Sequence, residues 1–176
     1  MITAAGIKRV LYTDVENVKS DLKPTDITAL IAGADEVTNI HGETWSLDES
    51  EPNIEKHKNQ LTGSAYRQDV EPGELTMSFT IGEYDYQTKA NLLGGELIKE
   101  TEKVVGWKRA RGVSTIEKCL LALTKDGQWV VFPRGHVAAR EANTDKAIGL
   151  AVTGAALEPA NKEVSSEYWF DADEVE

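Results

Sequence analysis

The chain lacks both a second cysteine for a disulfide and a long apolar run for a membrane span. It has a single cysteine among 176 residues, which excludes a disulfide within the chain and suits a reducing cytoplasm. No apolar run approaches the roughly 20 residues that a membrane-spanning helix needs. The opening stretch "MITAAGIKRV" has no basic start followed by an apolar segment, so we expect no signal peptide. These absences are typical of a soluble, folded protein with no membrane partner.

Basic residues are also scarce. The chain has 19 Lys and Arg against 30 Asp and Glu, a formal net charge of −11. Because nucleic-acid binding depends on Lys and Arg that displace counterions from phosphates, a broad nucleic-acid-binding surface is not expected. An acidic surface instead repels DNA and lets it slide past without sticking.

Clusters of catalytic or metal-binding residues are missing too. His41, His57 and His136 are scattered and have no histidine four residues further on, so we predict that they are surface or loop residues and not zinc ligands. Cys119 lies inside an apolar run, which favours a small buried side chain over a reactive thiol. We therefore predict no catalytic residue, no metal site, no cofactor and no enzymatic activity.

Three short motifs have an ordinary structural interpretation. The stretch "LLGGEL" lacks the Lys-Ser/Thr pair of a phosphate-binding loop. The terminal "FDADEVE" has alternating carboxylates but no central glycine, so we interpret it as a solvated acidic tail and not as a calcium loop. The basic cluster "WKRARG" at 107–112 is typical of a solvated loop in so acidic a chain.

What the sequence does contain is strand patterning. In "ELTMSFTI" the apolar residues Leu75, Met77, Phe79 and Ile81 alternate with hydroxyl residues, which predicts a strand with one core face. The stretch "GIKRVLYTDV" predicts a first strand with Val10 and Tyr12 on one face. The stretch "KAIGLAVTGAAL" predicts a last strand, in which Ile148, Leu150 and Val152 alternate with small residues.

Two short helices are predicted by their end signals. In "KPTDITALIAGADEV", Pro24 precedes the helix, Thr25 or Asp26 is the cap, and Gly33 ends it. Ile27, Leu30 and Ile31 then form the apolar face. In "EYDYQTKANLLGG", Asp85 is the cap, Ala90 and Leu93 share a face, and the Gly94-Gly95 pair ends the helix.

A hairpin is predicted in "LALTKDGQWVVF", residues 121–132, where Asp126-Gly127 separates two apolar runs. A two-residue turn there places Leu123 opposite Val130 and Thr124 opposite Trp129, and both faces are then apolar. The rival interpretation is a helix that begins with Ser114 and Glu117 as a capping box. We prefer the strand because "QWVVF" is strongly β-forming, and we ask what covers its second apolar face.

These elements predict a mainly β protein, with an antiparallel β-sandwich or barrel and one or two short flanking α-helices, in one domain spanning residues 1–176. The polar stretch 48–73 is rich in turn formers and is interpreted as a long loop or an extended hairpin. Residues 159–176 are interpreted as an acidic C-terminal tail that carries the aromatic cluster Tyr168, Trp169 and Phe170.

The order of these elements resembles the major tail tube proteins of long-tailed bacteriophages and, more distantly, the Hcp tube proteins of type VI secretion. The resemblance covers roughly residues 70–160 and is carried by "GELTMSFTIGEYDYQTKANLLGG", "TIEKCLLALTKDGQWVVFPRGHV" and "KAIGLAVTGAALEP". A strand leads into a short helix with a terminal glycine pair, a K-x-G hairpin carries central strands, and a strand of small and β-branched residues closes the pattern.

The resemblance implies a structural virion protein that is assembled in the bacterial host cytoplasm. Its partners are other copies of itself, in hexameric rings that stack into a tube, and other phage tail proteins. DNA passes through this tube without specific binding. The resemblance also implies that residues 48–73 reach adjacent subunits or the next ring.

Three other functions compete with a tail tube. They are another phage or prophage structural β-protein such as a head–tail connector or decoration protein, a small hydrolase on a β-scaffold, and a lipocalin-like ligand-binding barrel.

Overall fold

A computed structural model of the chain describes residues 4–175. Strands dominate, the sheets are antiparallel and two α-helices flank them, which confirms the predicted mainly β fold class. The helices are α1 (Pro24–Ala32) and α2 (Tyr86–Leu93). The strands are β1 (Arg9–Asp14), β2 (Asp35–Glu36), β3 (Ser46–Glu49), β4 (Asn53–Lys58), β5 (Ala65–Glu71), β6 (Leu75–Ile81), β7 (Glu96–Glu100), β8 (Lys103–Lys108), β9 (Ile116–Leu123), β10 (Gln128–Thr144), β11 (Ala147–Ala156) and β12 (Tyr168–Asp171).

The main sheet has eight strands in the order β2-β1-β9-β10-β11-β6-β3, with β12 paired to β10 outside this path. Strand β2 pairs with β1, and Ile40 forms an isolated bridge with Ile81 on β6. Residues 35–40 therefore bridge β1 on one side of the curled sheet and β6 on the other. The sheet thus forms a barrel that is only partly closed. Two further hairpins, β4–β5 and β7–β8, form separate two-stranded sheets.

Strand β10 is long and bent, with 17 residues and an irregular register against β9 between Phe132 and Gly135. Residues 128–131 pair with β12 and residues 135–144 pair with β11, while β9 pairs with β10 on both sides of the irregularity. A bulge of this kind lets one strand serve two parts of a barrel. Arg134 lies within this irregular stretch and donates two hydrogen bonds of 2.8 and 2.9 Å to the Glu117 carboxylate on β9.

The barrel interior is one of two apolar layers. Alternate residues of β1, β6, β9, β10 and β11 point into it, and Leu92 of α2 closes it. Its buried members are Val10, Tyr12, Val37, Met77, Phe79, Ile81, Leu92, Leu120, Ala122, Val130, Phe132, Val137, Leu150 and Val152. The predicted faces of the first strand and of 74–81 are thereby confirmed, since Val10, Tyr12, Met77, Phe79 and Ile81 are all buried here.

The second layer lies on the opposite side of β1, β9 and β10. It contains the intervening residues of these strands together with side chains from α1 and the C-terminal segment. Its buried members are Leu11, Leu22, Ile27, Leu30, Cys119, Leu121, Leu123, Trp129, Val131 and Val175. The second apolar face of the predicted hairpin is therefore covered by the chain itself.

The hairpin is present, but the predicted two-residue turn is wrong. Trp129 pairs with Leu123 and Val130 pairs with Ala122, one residue out of the predicted register. Gly127 has a left-handed φ of 81°, and its N–H bonds to the carbonyl of Thr124. This is the longer hairpin turn in which a glycine follows a type I turn, and the same Asp-Gly pair serves it. Residues 116–123 form strand β9, so the helical alternative is excluded.

The predicted solvated tail is also wrong. Residues 168–171 form β12, so β11 is not the last strand. Val164 and Val175 are buried, and the Thr28 hydroxyl on α1 donates a hydrogen bond to the carbonyl of Val175. The segment packs against the protein despite its charges, because burial of its apolar side chains on the second face of the sheet is favourable.

Both helices lie where their end signals predict, with local corrections. Lys23, and not Thr25 or Asp26, is the N-cap of α1. The Asp26 carboxylate accepts a hydrogen bond of 2.9 Å from the Lys23 N–H. The Asp85 cap of α2 is confirmed by a 2.7 Å bond from the Thr88 N–H. The fully buried residue of α2 is Leu92, although Ala90 and Leu93 were the predicted face.

Two other features differ from the sequence expectation. Ile148 is exposed near the start of β11, because this part of the strand extends past the barrel core. The β7–β8 hairpin was not predicted at all. Among residues 4–175, no helix is long and apolar enough to cross a membrane.

Candidate assembly surface

The histidines and the cysteine do not form a chemical site. The Nε2 atom of His41 lies 3.2 Å from the Asp145 carboxylate, and that of His57 lies 2.9 Å from the Asp69 carboxylate. His136 is a half-buried residue of β10. Within residues 4–175, no three His, Cys, Asp or Glu side chains are grouped to hold a metal ion. Cys119 is buried on β9 as expected, and this burial raises its pKa to about 12, so its thiol is protonated at neutral pH.

The most unusual surface is the hairpin β4–β5, which we call the arm (residues 53–71). Within the stretch 48–73, interpreted as a long loop or an extended hairpin, residues 53–71 form a hairpin, and Asp48 and Glu49 belong to β3. The arm exposes the large apolar residues Ile54, Leu61, Tyr66 and Val70, and Leu61 is 94% exposed. Its strands pair only with each other. An isolated two-stranded ribbon is marginally stable in water, so the arm is a candidate contact surface.

The root of the arm has an apolar pair on one face and charged side chains on the other. Ile54 pairs with Val70 across the two strands, and the next pair on their face is Lys56 with Gln68. On the other face, the Asp69 carboxylate lies 2.9 Å from both His57 and Arg67. This division matches a ribbon that binds a surface through one side and keeps the other in water.

The arm is anchored firmly where it leaves the barrel. The Ser50 N–H donates to the Glu74 carbonyl at 3.0 Å, and the Glu74 N–H donates to the Ser50 hydroxyl at 2.8 Å. The two segments of the chain that enter and leave the arm approach so closely that a Cβ at Gly73 would lie 1.8 Å from the carbonyl oxygen of Ser50. Only glycine fits this position, so the direction of the arm is set by the barrel.

A second projecting element, the β7–β8 hairpin, is held against α2 by Trp107. The Trp107 indole donates a 2.8 Å hydrogen bond to the Gly94 carbonyl, and the Lys89 ammonium lies 4.2 Å from the ring centroid. Lys89 also lies 2.5 Å from the Glu141 carboxylate, which Arg109 approaches at 3.4 Å. The hydrogen bond and charge of Lys89, with a smaller contribution from Arg109, lower the pKa of Glu141.

The basic cluster at 107–112 is therefore divided between two roles. Trp107 and Lys108 belong to β8 and are packed or paired, since Lys108 lies 2.6 Å from Glu96. The residues that follow form a loop, as predicted for the cluster, and expose Arg111 and Val113. The sequence signal for the packed part was the tryptophan, which an ordinary solvated loop does not need.

A third surface is the outward face of β6, β11 and the second part of β10. It carries small and hydroxyl side chains, and the Ser78 hydroxyl donates to that of Thr153 at 3.3 Å. Ala138 continues this row on β10, where Arg140 follows it on the same face. A cavity of about 330 Å³ lies on this face, and Arg140 is among the residues that line it.

No known protein family and no curated protein matches this chain.

Proposed function

We propose that this chain is a structural protein that self-assembles into rings, and that the rings stack as the tail tube of a long-tailed phage. The exposed arm is the observation that carries the proposal. In an isolated subunit Ile54, Leu61, Tyr66 and Val70 face water, and contact with further copies removes this apolar area from solvent. The proposal places the protein in the virion after assembly in the bacterial cytoplasm, and it includes no catalytic role.

The partly closed barrel with its separately anchored arm suits this role. The two core layers make the subunit rigid, while the Ser50–Glu74 contacts fix the direction of the arm. A rigid body with one protruding element can repeat the same contact in every copy, which a ring requires. The resemblance to tail tube proteins supports the same interpretation, with six copies in each ring.

The net charge of −11 supports passage of DNA without specific binding. In a ring this charge is repeated in each subunit and repels the phosphate backbone. The paired positions of β6 and β11 contain no Lys or Arg, so this face offers no cation to a passing phosphate backbone. These features favour a conduit over a protein that reads DNA.

The first prediction concerns the arm. Replacing both Leu61 and Tyr66 with serine should block assembly, because both side chains are exposed in the subunit and are available only to a partner. The free energy of unfolding of the subunit should change by less than about 0.5 kcal/mol. Sedimentation velocity measures the assembly and urea titration measures the stability.

The matched control is Tyr86→Ser, which removes an exposed aromatic side chain from α2 instead. This variant should assemble like the unmodified protein. Assembly of the arm variant at unchanged protein concentration would contradict the proposed role of the arm.

The second prediction concerns DNA. The assembled protein should bind duplex DNA weakly or not at all at physiological salt, because few cations are available to neutralise phosphates. A filter-binding titration across salt concentrations measures this. Submicromolar, salt-sensitive affinity would contradict the conduit and favour a nucleic-acid-binding function.

A further inference from the structure

A groove beside the loop 109–115 has the properties of an acceptor site. It encloses about 270 Å³ between this loop, α2 and the strands β9 and β10. Leu93, Ile116 and Ala139 contribute a half-buried apolar floor. Arg109 lines it, and the neighbouring Arg111 adds a second exposed guanidinium in the same loop.

Two exposed side chains of this loop, Arg111 and Val113, are available to a partner. Within residues 4–175, Arg111 forms no ion pair, whereas Arg109 lies 3.4 Å from Glu141. Val113 lines the groove and is fully exposed, with a relative accessibility of 103%. A loop that presents a free cation next to an unprotected apolar side chain fits a partner that is both acidic and apolar.

The root of the arm has this complementary chemistry. The exposed pair Ile54 and Val70 is flanked by exposed carboxylates that form no ion pair within residues 4–175. These carboxylates are Asp48, Glu49, Glu51 and Glu74, whereas Glu55 and Glu71 lie on the opposite face of the ribbon by strand alternation. The cations of the arm, Lys56, Lys58 and Arg67, lie further towards its tip.

We propose that the arm root of one copy docks in the 109–115 groove of the next copy, with Ile54 and Val70 against Val113 and the root carboxylates against Arg111. This inference rests on the proposed self-assembly and names the surface that receives the arm. In a ring the arm of each copy enters the groove of the next copy and not of the previous one, so the contact is head-to-tail. Repetition of such a contact produces a ring or a filament, whereas reciprocal exchange of arms between two copies produces a closed dimer.

Charge reversal tests the pairing from both sides. Arg111→Glu in one variant and Glu51→Lys with Glu74→Lys in another should each raise the protein concentration needed for half-assembly by about tenfold or more. A chain that carries all three changes should assemble within about threefold of the unmodified protein, since the charges are again complementary. Sedimentation velocity at one fixed ionic strength gives the three concentrations.

The control is Lys103→Glu, an exposed residue at the start of β8 with no ion pair among residues 4–175. It should leave assembly unchanged, and thermal unfolding should show that every variant is folded. If the unmodified protein assembles and the reversal variants assemble equally well, the pairing is overturned while the proposed function stands. Loss of assembly without recovery in the combined variant also overturns the pairing. An unmodified protein that stays monomeric at every concentration overturns both.

Discussion

Replacing Phe79 with alanine should lower the free energy of unfolding by about 3–5 kcal/mol. Phe79 is only 1% exposed and lies on β6 inside the barrel, opposite Val152 of β11. The substitution leaves a cavity that the surrounding strands, fixed by their register, fill only in part. Urea unfolding followed by tryptophan fluorescence measures the change.

The matched control for this variant is Val113→Ala, which removes apolar atoms from a fully exposed side chain. Its free energy of unfolding should change by less than about 0.5 kcal/mol. A change near zero for Phe79→Ala would contradict the placement of β6 against the barrel core.

Deleting residues 167–176 should destabilise the protein by about 4 kcal/mol or more. The deletion removes β12 from its pairing with β10 and uncovers the layer that contains Leu123, Trp129 and Val131. It also removes Val175, which is 3% exposed. Circular dichroism during thermal unfolding measures the loss, and increased binding of a hydrophobic dye reports the uncovered face.

Because the truncated chain is expected to fold poorly, a single substitution gives an independent measurement. Val175→Asp places a carboxylate against the apolar side chains of α1 and β9, which is costly without a partner. It should lower stability by about 2 kcal/mol or more, whereas Glu174→Gln on the exposed neighbour should be nearly neutral. Unchanged stability in the truncated chain would restore the interpretation of a solvated tail.

The sequence predicted the fold best where one physical requirement dominated. Alternation in 75–81 identified β6 because one face of this strand is core and the other is not. The two apolar faces of β9 were also recognisable, since adjacent residues such as Leu120 and Leu121 are both buried. These patterns depend only on which side chains are buried, and the periodicity of apolar residues is the strongest structural signal in a sequence.

Features that depend on distant residues were missed. The Asp126-Gly127 pair is compatible with two turn lengths, and only the pairing of Leu123 with Trp129 distinguishes them. The C-terminal segment contains many acidic residues, so its composition conceals the apolar positions that meet α1. In both cases local chemistry permits several structures, and tertiary packing selects one.

The candidate assembly surface was only partly predictable for the same reason. The arm was recognisable as an unusual polar stretch with many turn formers, but the faces of the ribbon required the pairing of Ile54 with Val70. The groove beside the loop 109–115 is lined by residues of α2, the loop and strands β9 and β10, which are distant from one another in the sequence. No local motif encodes such an arrangement.

Electron microscopy of the purified, unmodified protein across a range of high concentrations is the most direct test of self-assembly into a tube. We predict rings with an open centre and, as the concentration rises, stacks of these rings with a regular axial repeat. Particles that remain single subunits, or closed dimers without a central channel, at all concentrations would contradict the proposed function.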